Sequence, residues 1–247
     1  MRKKYKILII VTLLSLLLCI IYIETIGFIT NKEINEFVSR GIYQCTINNI
    51  EYYKVIKKYD YENTSDRIVD KEDDNYVGTT GDIYITSKDP LDFFVSEYIS
   101  NNIRIGHSCI VSDKHAKNII EIFGNAGKNN NVVKENENNW HDKNMPEMIV
   151  LRVKGFDEES KSNLLKELHS IYNKKYNYFF LFHMENRYYC TDLCSRSYKS
   201  IGYNIDGGAI MTSGSSMIKD DDTYLIYYKK RINKNGIKYR VYYLCEE

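Results

Sequence analysis

The stretch Arg187-Tyr-Tyr-Cys-Thr-Asp-Leu-Cys-Ser-Arg-Ser-Tyr-Lys199 decides how the rest of the chain is read. A polar-aromatic run ends at Cys190, and a helical pattern begins there: Leu193, Ser197 and Ile201 recur every four residues, as do Cys190 and Cys194. A cysteine so placed lies in the first turn of a helix, where unpaired backbone N–H groups and the helix dipole favour negative charge. That setting lowers a thiol pKa and supplies donors for an oxyanion. The bland reading is a small buried hydrophobe, the usual fate of a helical cysteine. A base within reach of the thiol, and a group to orient that base, would decide between the two.

Four strands are legible upstream. Gly81-Asp-Ile-Tyr-Ile-Thr86 alternates, and Gly106-His-Ser-Cys-Ile-Val111 is a second strand. Ile119-Ile-Glu-Ile-Phe123, closed by Gly124, is a third, and Met148-Ile-Val-Leu-Arg-Val153 a fourth. Between the last two, Asn125 to Met145 reads as a long polar loop carrying Trp140 and His141. Loops of that length are mobile or form binding surfaces. Asp157 is placed to cap a helix whose apolar face is Leu164, Leu165, Leu168, Ile171 and Tyr172. After the cysteine helix, Tyr224–Tyr228 and Ile237–Leu244 read as strands joined by a turn at Asn235-Gly236. This order argues an α+β fold, an antiparallel sheet packed on helices.

The chain has 247 residues, with Lys+Arg 34 against Asp+Glu 33 and a net charge of +1. No basic excess points to nucleic acid. Tyrosine is common (23) and proline nearly absent (2), and the Asn-rich runs read as compositional bias. At the N-terminus Arg2, Lys3, Lys4 and Lys6 precede an uncharged run from Ile7 to Ile23, ended by Glu24. That run is near the lower limit for a helix crossing ~30 Å of hydrocarbon. The basic flank should stay cytoplasmic, which places the remainder outside a cell membrane crossed once. A cleaved signal peptide is the rival reading. Its apolar core is usually shorter and is followed by a small-x-small site. Cys19-Ile-Ile-Tyr-Ile-Glu-Thr25 offers no such site, and Leu16-Leu-Leu-Cys19 lacks the small residues that precede a lipidated cysteine.

From Thr30 to Tyr61 the apolar residues suggest short helical or mixed segments, and Asn63 to Asn75 is polar and acidic, as in a linker. The chain is therefore divided into a basic flank and transmembrane anchor at 1–29, a juxtamembrane helical segment and polar linker at 30–78, and a main domain at 79–247 that ends in a β-hairpin.

For the base, His107 is the best candidate, fixed inside a strand and preceded by Gly106, which permits close approach. Glu121 stands alone among apolar neighbours, and a buried carboxylate is expensive unless paired. Pairing with an imidazole would answer that cost. His115 and His169 look solvated, and His141 and His183 lie in less ordered stretches. Cys109 shares the strand face of His107 and is expected to pack. No histidine pair has metal-ligand spacing near Cys190 and Cys194, and Cys45 and Cys245 fit no disulfide framework. Neither a metal nor another cofactor is expected.

Taken together, Gly81-Asp-Ile, Gly106-His-Ser-Cys-Ile-Val111, the Ile-Glu strand and Tyr188-Tyr-Cys-Thr-Asp-Leu193 resemble the YiiX/YebB-like cysteine hydrolases. These form the circularly permuted branch of the NlpC-type papain-fold superfamily, in which the histidine strand precedes the cysteine helix. In the resemblance His107 matches the histidine of "Ser-His-Val-Gly-Ile", Cys190 the cysteine of "Tyr-Cys-Ser-Glu-Leu-Val", and Glu121 the polar residue on the next strand. Tyr176-Asn-Tyr178 is similar to the family's "Tyr-Asp" segment. Departures are Gly106 for serine, Ser108-Cys109 for Val-Gly and Thr191-Asp192 for Ser-Glu. The resemblance spans about Thr79 to Tyr228. It implies a permuted papain-like fold and a membrane-anchored thiol hydrolase, with Cys190 as nucleophile, His107 as base and Glu121 orienting the base. The expected substrate is a peptide or amide, including one derived from the cell wall. The alternatives are a lipid ester acyltransferase or lipase of the lecithin:retinol acyltransferase type, and a binding module without turnover.

Overall fold

Apolar runs too short for helices supply the strands, and one large sheet gathers most of them. The computed structural model describes residues 2–69, 75–88, 94–124, 131–141, 145–180, 184–209 and 211–246. The first third of the chain holds α1 (Arg2–Ser39), β1 (Gly41–Ile47), β2 (Ile50–Ile56) and β3 (Ile83–Thr86). Then come α2 (Phe94–Ile103), β4 (His107–Val111), β5 (Asn118–Glu121), β6 (Lys134–Glu137), β7 (Glu147–Val153) and α3 (Glu158–Ser170). The last third holds β8 (Lys175–Tyr176), β9 (Arg187–Tyr188), α4 (Cys190–Ser200), α5 (Gly214–Ile218), β10 (Thr223–Lys234) and β11 (Ile237–Cys245).

The sheet runs β1-β2-β11-β10-β7-β3-β4-β5-β6. Its pairings are antiparallel except that of β2 with β11, which is parallel. The architecture is thus α+β, with a mostly antiparallel sheet. Its central strands β3, β4 and β7 are buried at every residue, so both faces are covered. Register sets those faces: Thr86 lies opposite His107, Ile85 opposite Ser108 and Tyr84 opposite Cys109. Side chains alternate along a strand, so His107 and Cys109 share one face with Tyr84. Ser108 and Ile110 point to the other, where α4 packs on β4 and α3 packs on α4. Cys109 is fully buried.

The helix expected after Asp157 forms, and the Asp157 side chain accepts from the Ser160 N–H at its start. The Asn235-Gly236 turn joins β10 to β11 with both residues at positive φ, 54° and 79°. That is the backbone a two-residue hairpin of native twist requires.

Four regions differ from expectation. The helix that begins before Ile7 does not end with the expected anchor at residue 29 but continues to Ser39. Side chains from Lys4 to Tyr22 are exposed, whereas Ile26, Thr30, Ile34 and Phe37 are buried in a stripe along one face. That stripe packs on α2 and α5, so tertiary contacts carry the helix past its apolar run. The rest of the Thr30–Tyr61 stretch is a hairpin, not helix. Ile47 pairs with Ile50 across Asn48-Asn49, both at positive φ, and β2 then joins β11. The described part of the expected linker is also fastened. The Arg152 guanidinium donates to the carbonyls of Asn63 and Arg67 while binding both carboxylate oxygens of Asp82. Finally, the Asn125–Met145 loop contains the edge strand β6 and a buried Trp140, while residues 125–130 and 142–144 lie outside the described residues.

Candidate active site

Cys190 opens α4, with Tyr189 in extended conformation at the N-cap and no side-chain cap. The N–H of Cys190 therefore has no partner within the helix. Its sulfur accepts from the backbone N–H groups of Ser108 and Thr191 and is hydrogen-bonded to His107. On the other side of the ring, His107 Nε2 lies 2.8 Å from Glu121 Oε2. With Nε2 engaged, Nδ1 is the nitrogen left for the thiol. The second carboxylate oxygen, Oε1, accepts from Asn136 Nδ2 at 2.9 Å. Asn136 lies opposite Ile119 in the ladder, and so on the face that carries Glu121 two residues on. The imidazole also stacks on Phe123, with centroids 4.1 Å apart, and on Trp140 at 5.7 Å. Cys190 and His107 keep only 8% and 9% of their surface.

Two opposing effects set the charges. Burial works against an imidazolium at His107, but the Cys190 sulfur and the Glu121 carboxylate outweigh it and lift the pKa to about 9. Burial likewise opposes a thiolate at Cys190, yet His107 and the two backbone donors pull its pKa below the ordinary thiol value. The two directions agree: near neutral pH the pair favours thiolate and imidazolium. Cys194 is the contrast. Burial pushes its thiol up to about 12, and its sulfur lies 3.5 Å from Ser108 Oγ, so it packs as a neutral thiol.

Surrounding residues hold the start of α4 in place. The Thr191 hydroxyl donates to the Thr212 carbonyl, and the Thr212 N–H donates to the Tyr189 hydroxyl. Asp206 accepts from the hydroxyls of Ser195 and Thr212 and from the Gly208 N–H. Tyr176 packs its ring so closely on Gly124 that a Cβ there would lie 2.8 Å from it. Burial, and then the neighbouring Cys190, raise the Tyr176 phenol, which stays a proton donor.

The structure thus brings Cys190, His107 and Glu121 together. His115 is exposed in the Asp113 turn, His169 is exposed on α3, and His141 packs against Tyr76. His183 lies outside the described residues. Sequence reasoning missed Asn136, Phe123, Asp206 and Thr212. Only Phe123 carried a signal, its place two residues after Glu121 on the same strand face. Among the described residues no group of three or more His, Cys, Asp or Glu side chains could hold a metal ion.

No family model matches the chain. No curated protein matches it either. Among solved structures it is similar to the one described as metalloprotein yiiX from Escherichia coli O157:H7. That likeness has a TM-score of 0.43 and 16% identity, and covers 60% of this chain and 96% of that one. It is a distant one.

Proposed function

We propose that the chain is a membrane-anchored thiol hydrolase of permuted papain-like fold that cleaves an amide, peptide or ester carbonyl substrate. The observation that carries this reading is the buried relay from the Cys190 sulfur through His107 to Glu121, closed by the 2.8 Å contact at Nε2. A histidine strand preceding a cysteine helix supports the permuted order. The anchor is supported by the span Lys4–Ser39, one helix long and apolar enough to cross a membrane. Its basic flank favours a cytoplasmic N-terminus and a site on the outer side.

In this mechanism the Cys190 thiolate adds to the substrate carbonyl carbon, and the carbonyl electrons move to oxygen. The oxyanion is held by the Cys190 N–H at the helix start, with the Tyr176 hydroxyl as second donor. Collapse breaks the bond to the leaving group, which takes the imidazolium proton from His107. Water then adds to the thioester as His107 removes its proton. The acid product departs, and the thiolate–imidazolium pair is restored. Glu121 keeps the imidazole in one orientation and stabilises its charge.

The test is alkylation of the full chain in detergent micelles by iodoacetamide, with the labelled cysteine located by peptide mass mapping. Cys190 is expected to react at about pH 6, where an ordinary thiol of pKa ~8.5 is almost wholly protonated. Cys190→Ala should lose this label and all turnover. Reaction that tracks an ordinary thiol, as in a binding module, or full turnover by Cys190→Ala, would overturn the proposal.

A further inference from the structure

Large apolar side chains left in water are few outside α1 and β1 among the described residues, and three of them are consecutive. Tyr178, Phe179 and Phe180 are 55%, 64% and 45% exposed. They stand at the candidate site. The Phe180 ring lies 5.5 Å from Tyr189, the residue before the nucleophile, and 6.3 Å from Tyr176. Exposed aromatic surface gathered beside a reactive group marks a place that meets apolar matter.

The same site is tied to the membrane helix by short paths. Arg104, three residues before His107, donates to Asn31 on α1 at 2.9 Å. Its carbonyl accepts from the N–H of Gly214, two residues beyond Thr212, whose own carbonyl holds Thr191. One turn before Asn31, α2 comes so close to Gly27 that a Cβ there would strike the Asn102 side chain. At 1.5 Å per residue, Gly27 and Asn31 stand only ~6 and ~12 Å beyond Ile23, the end of the uncharged run. The headgroup zone is itself ~5–8 Å deep on each side. His107 can be no more than ~11 Å from Arg104 along the chain. With α1 across the bilayer, these contacts tether the candidate site to the part of α1 that lies just beyond the headgroups.

From these two observations we infer that the substrate is an acyl ester lipid of the membrane that holds α1, its chain lying against Tyr178, Phe179 and Phe180. In such a lipid the hydrocarbon begins at the scissile carbonyl, which suits an aromatic ring packed on the neighbour of the nucleophile. A lipid-linked peptide would hold its apolar part a long polar spacer away. The inference rests on the thiol hydrolase reading. Cys190 would form a thioester with the acyl carbon as the ester C–O bond breaks, and the lipid alkoxide would take the His107 proton. Water then releases a free fatty acid and returns the thiol pair.

The experiment reconstitutes the full chain in phosphatidylcholine–phosphatidylglycerol vesicles that carry a phosphatidylcholine with a fluorescent acyl chain. Released labelled acid is followed, and p-nitrophenyl acetate hydrolysis is measured in parallel as a water-soluble reference. The expected result is acid release that needs Cys190, and a vesicle-to-soluble rate ratio lowered at least tenfold by Phe179→Ser with Phe180→Ser. Hydrolysis of p-nitrophenyl acetate with the vesicle lipid untouched, or a ratio the double variant does not change, would overturn the lipid inference and leave the thiol hydrolase standing. No turnover of either compound, with Cys190 alkylated as an ordinary thiol, would remove both.

Discussion

At the scale of the residue, the candidate site is a line of four side chains, each held by the next: Cys190, His107, Glu121 and Asn136. The charge on His107 has a direct consequence for pH dependence. Its pKa is raised from 6.5 to about 9, so the proton needed by the leaving group is present below that value and is lost as pH rises through it. Turnover should therefore fall on the alkaline side near pH 9, and on the acid side only below the ordinary thiol range, where Cys190 takes up a proton. Glu121→Gln removes a charge that favours the imidazolium. The alkaline limb should move to lower pH, and the rate should drop about 10- to 100-fold, since a hydrogen bond to a charged group is worth ~1.5–3 kcal/mol. A pH–rate profile of both proteins checks this; an unmoved limb would remove Glu121 from the relay. Cys190, His107 and Glu121 were legible in the sequence because each broke a local pattern: a thiol at a helix start, an imidazole in a strand, a charge among isoleucines. Asn136 was not, since Lys134-Glu-Asn-Glu137 has no apolar alternation and only pairing with β5 makes it a strand.

At the scale of the element, the central strands were legible because continuous burial demands continuous apolar residues. The hairpin β1–β2 was not. Six of the seven residues of β1 are exposed, so no hydrophobic alternation marks it, and its signal was the Asn48-Asn49 pair at positive φ. Helices α2 and α5 escaped for another reason: at 10 and 5 residues they are too short to stand on propensity, and packing against α1 supports them. The expected linker misled in the same way. Its polar residues hid a binding contact made through backbone carbonyls, which any side chains could provide. The element that fastens them is the buried pair Asp82–Arg152, joining β7 to the turn before β3 with contacts of 2.8 and 2.9 Å. Removing one partner leaves a buried charge uncompensated. Asp82→Ala is expected to lower stability by about 3–5 kcal/mol. Chemical denaturation of the full chain in micelles measures it, and a loss below about 1 kcal/mol would show that water replaces the carboxylate at this place.

At the scale of the whole molecule, the apolar run and its basic flank were legible, but the length of α1 was not, because the polar residues after Ile29 hid the buried stripe that carries the helix to Ser39. In the folded chain Glu24 faces Tyr98 on α2 and accepts a hydrogen bond from its hydroxyl, so the carboxylate closes the apolar segment without breaking the helix. One uninterrupted helix from Arg2 to Ser39 is a stiff mount. On the proposed anchoring, with α2 and α5 seated against the C-terminal part of α1, the candidate site is kept at one altitude over the bilayer instead of swinging on a tether. With the proposed lipid substrate, search would then take place in a plane and not in a volume. Affinity for any single lipid matters little under that regime, since the leaflet supplies a local density far above what solution could offer. The rate per enzyme should accordingly follow the surface mole fraction of the cleaved lipid. Diluting a suspension of proteoliposomes at fixed composition should leave that rate unchanged, whereas diluting the lipid within the bilayer should lower it in proportion. A dependence on bulk concentration alone would mean that the helix anchors the protein without setting the dimensionality of its encounters.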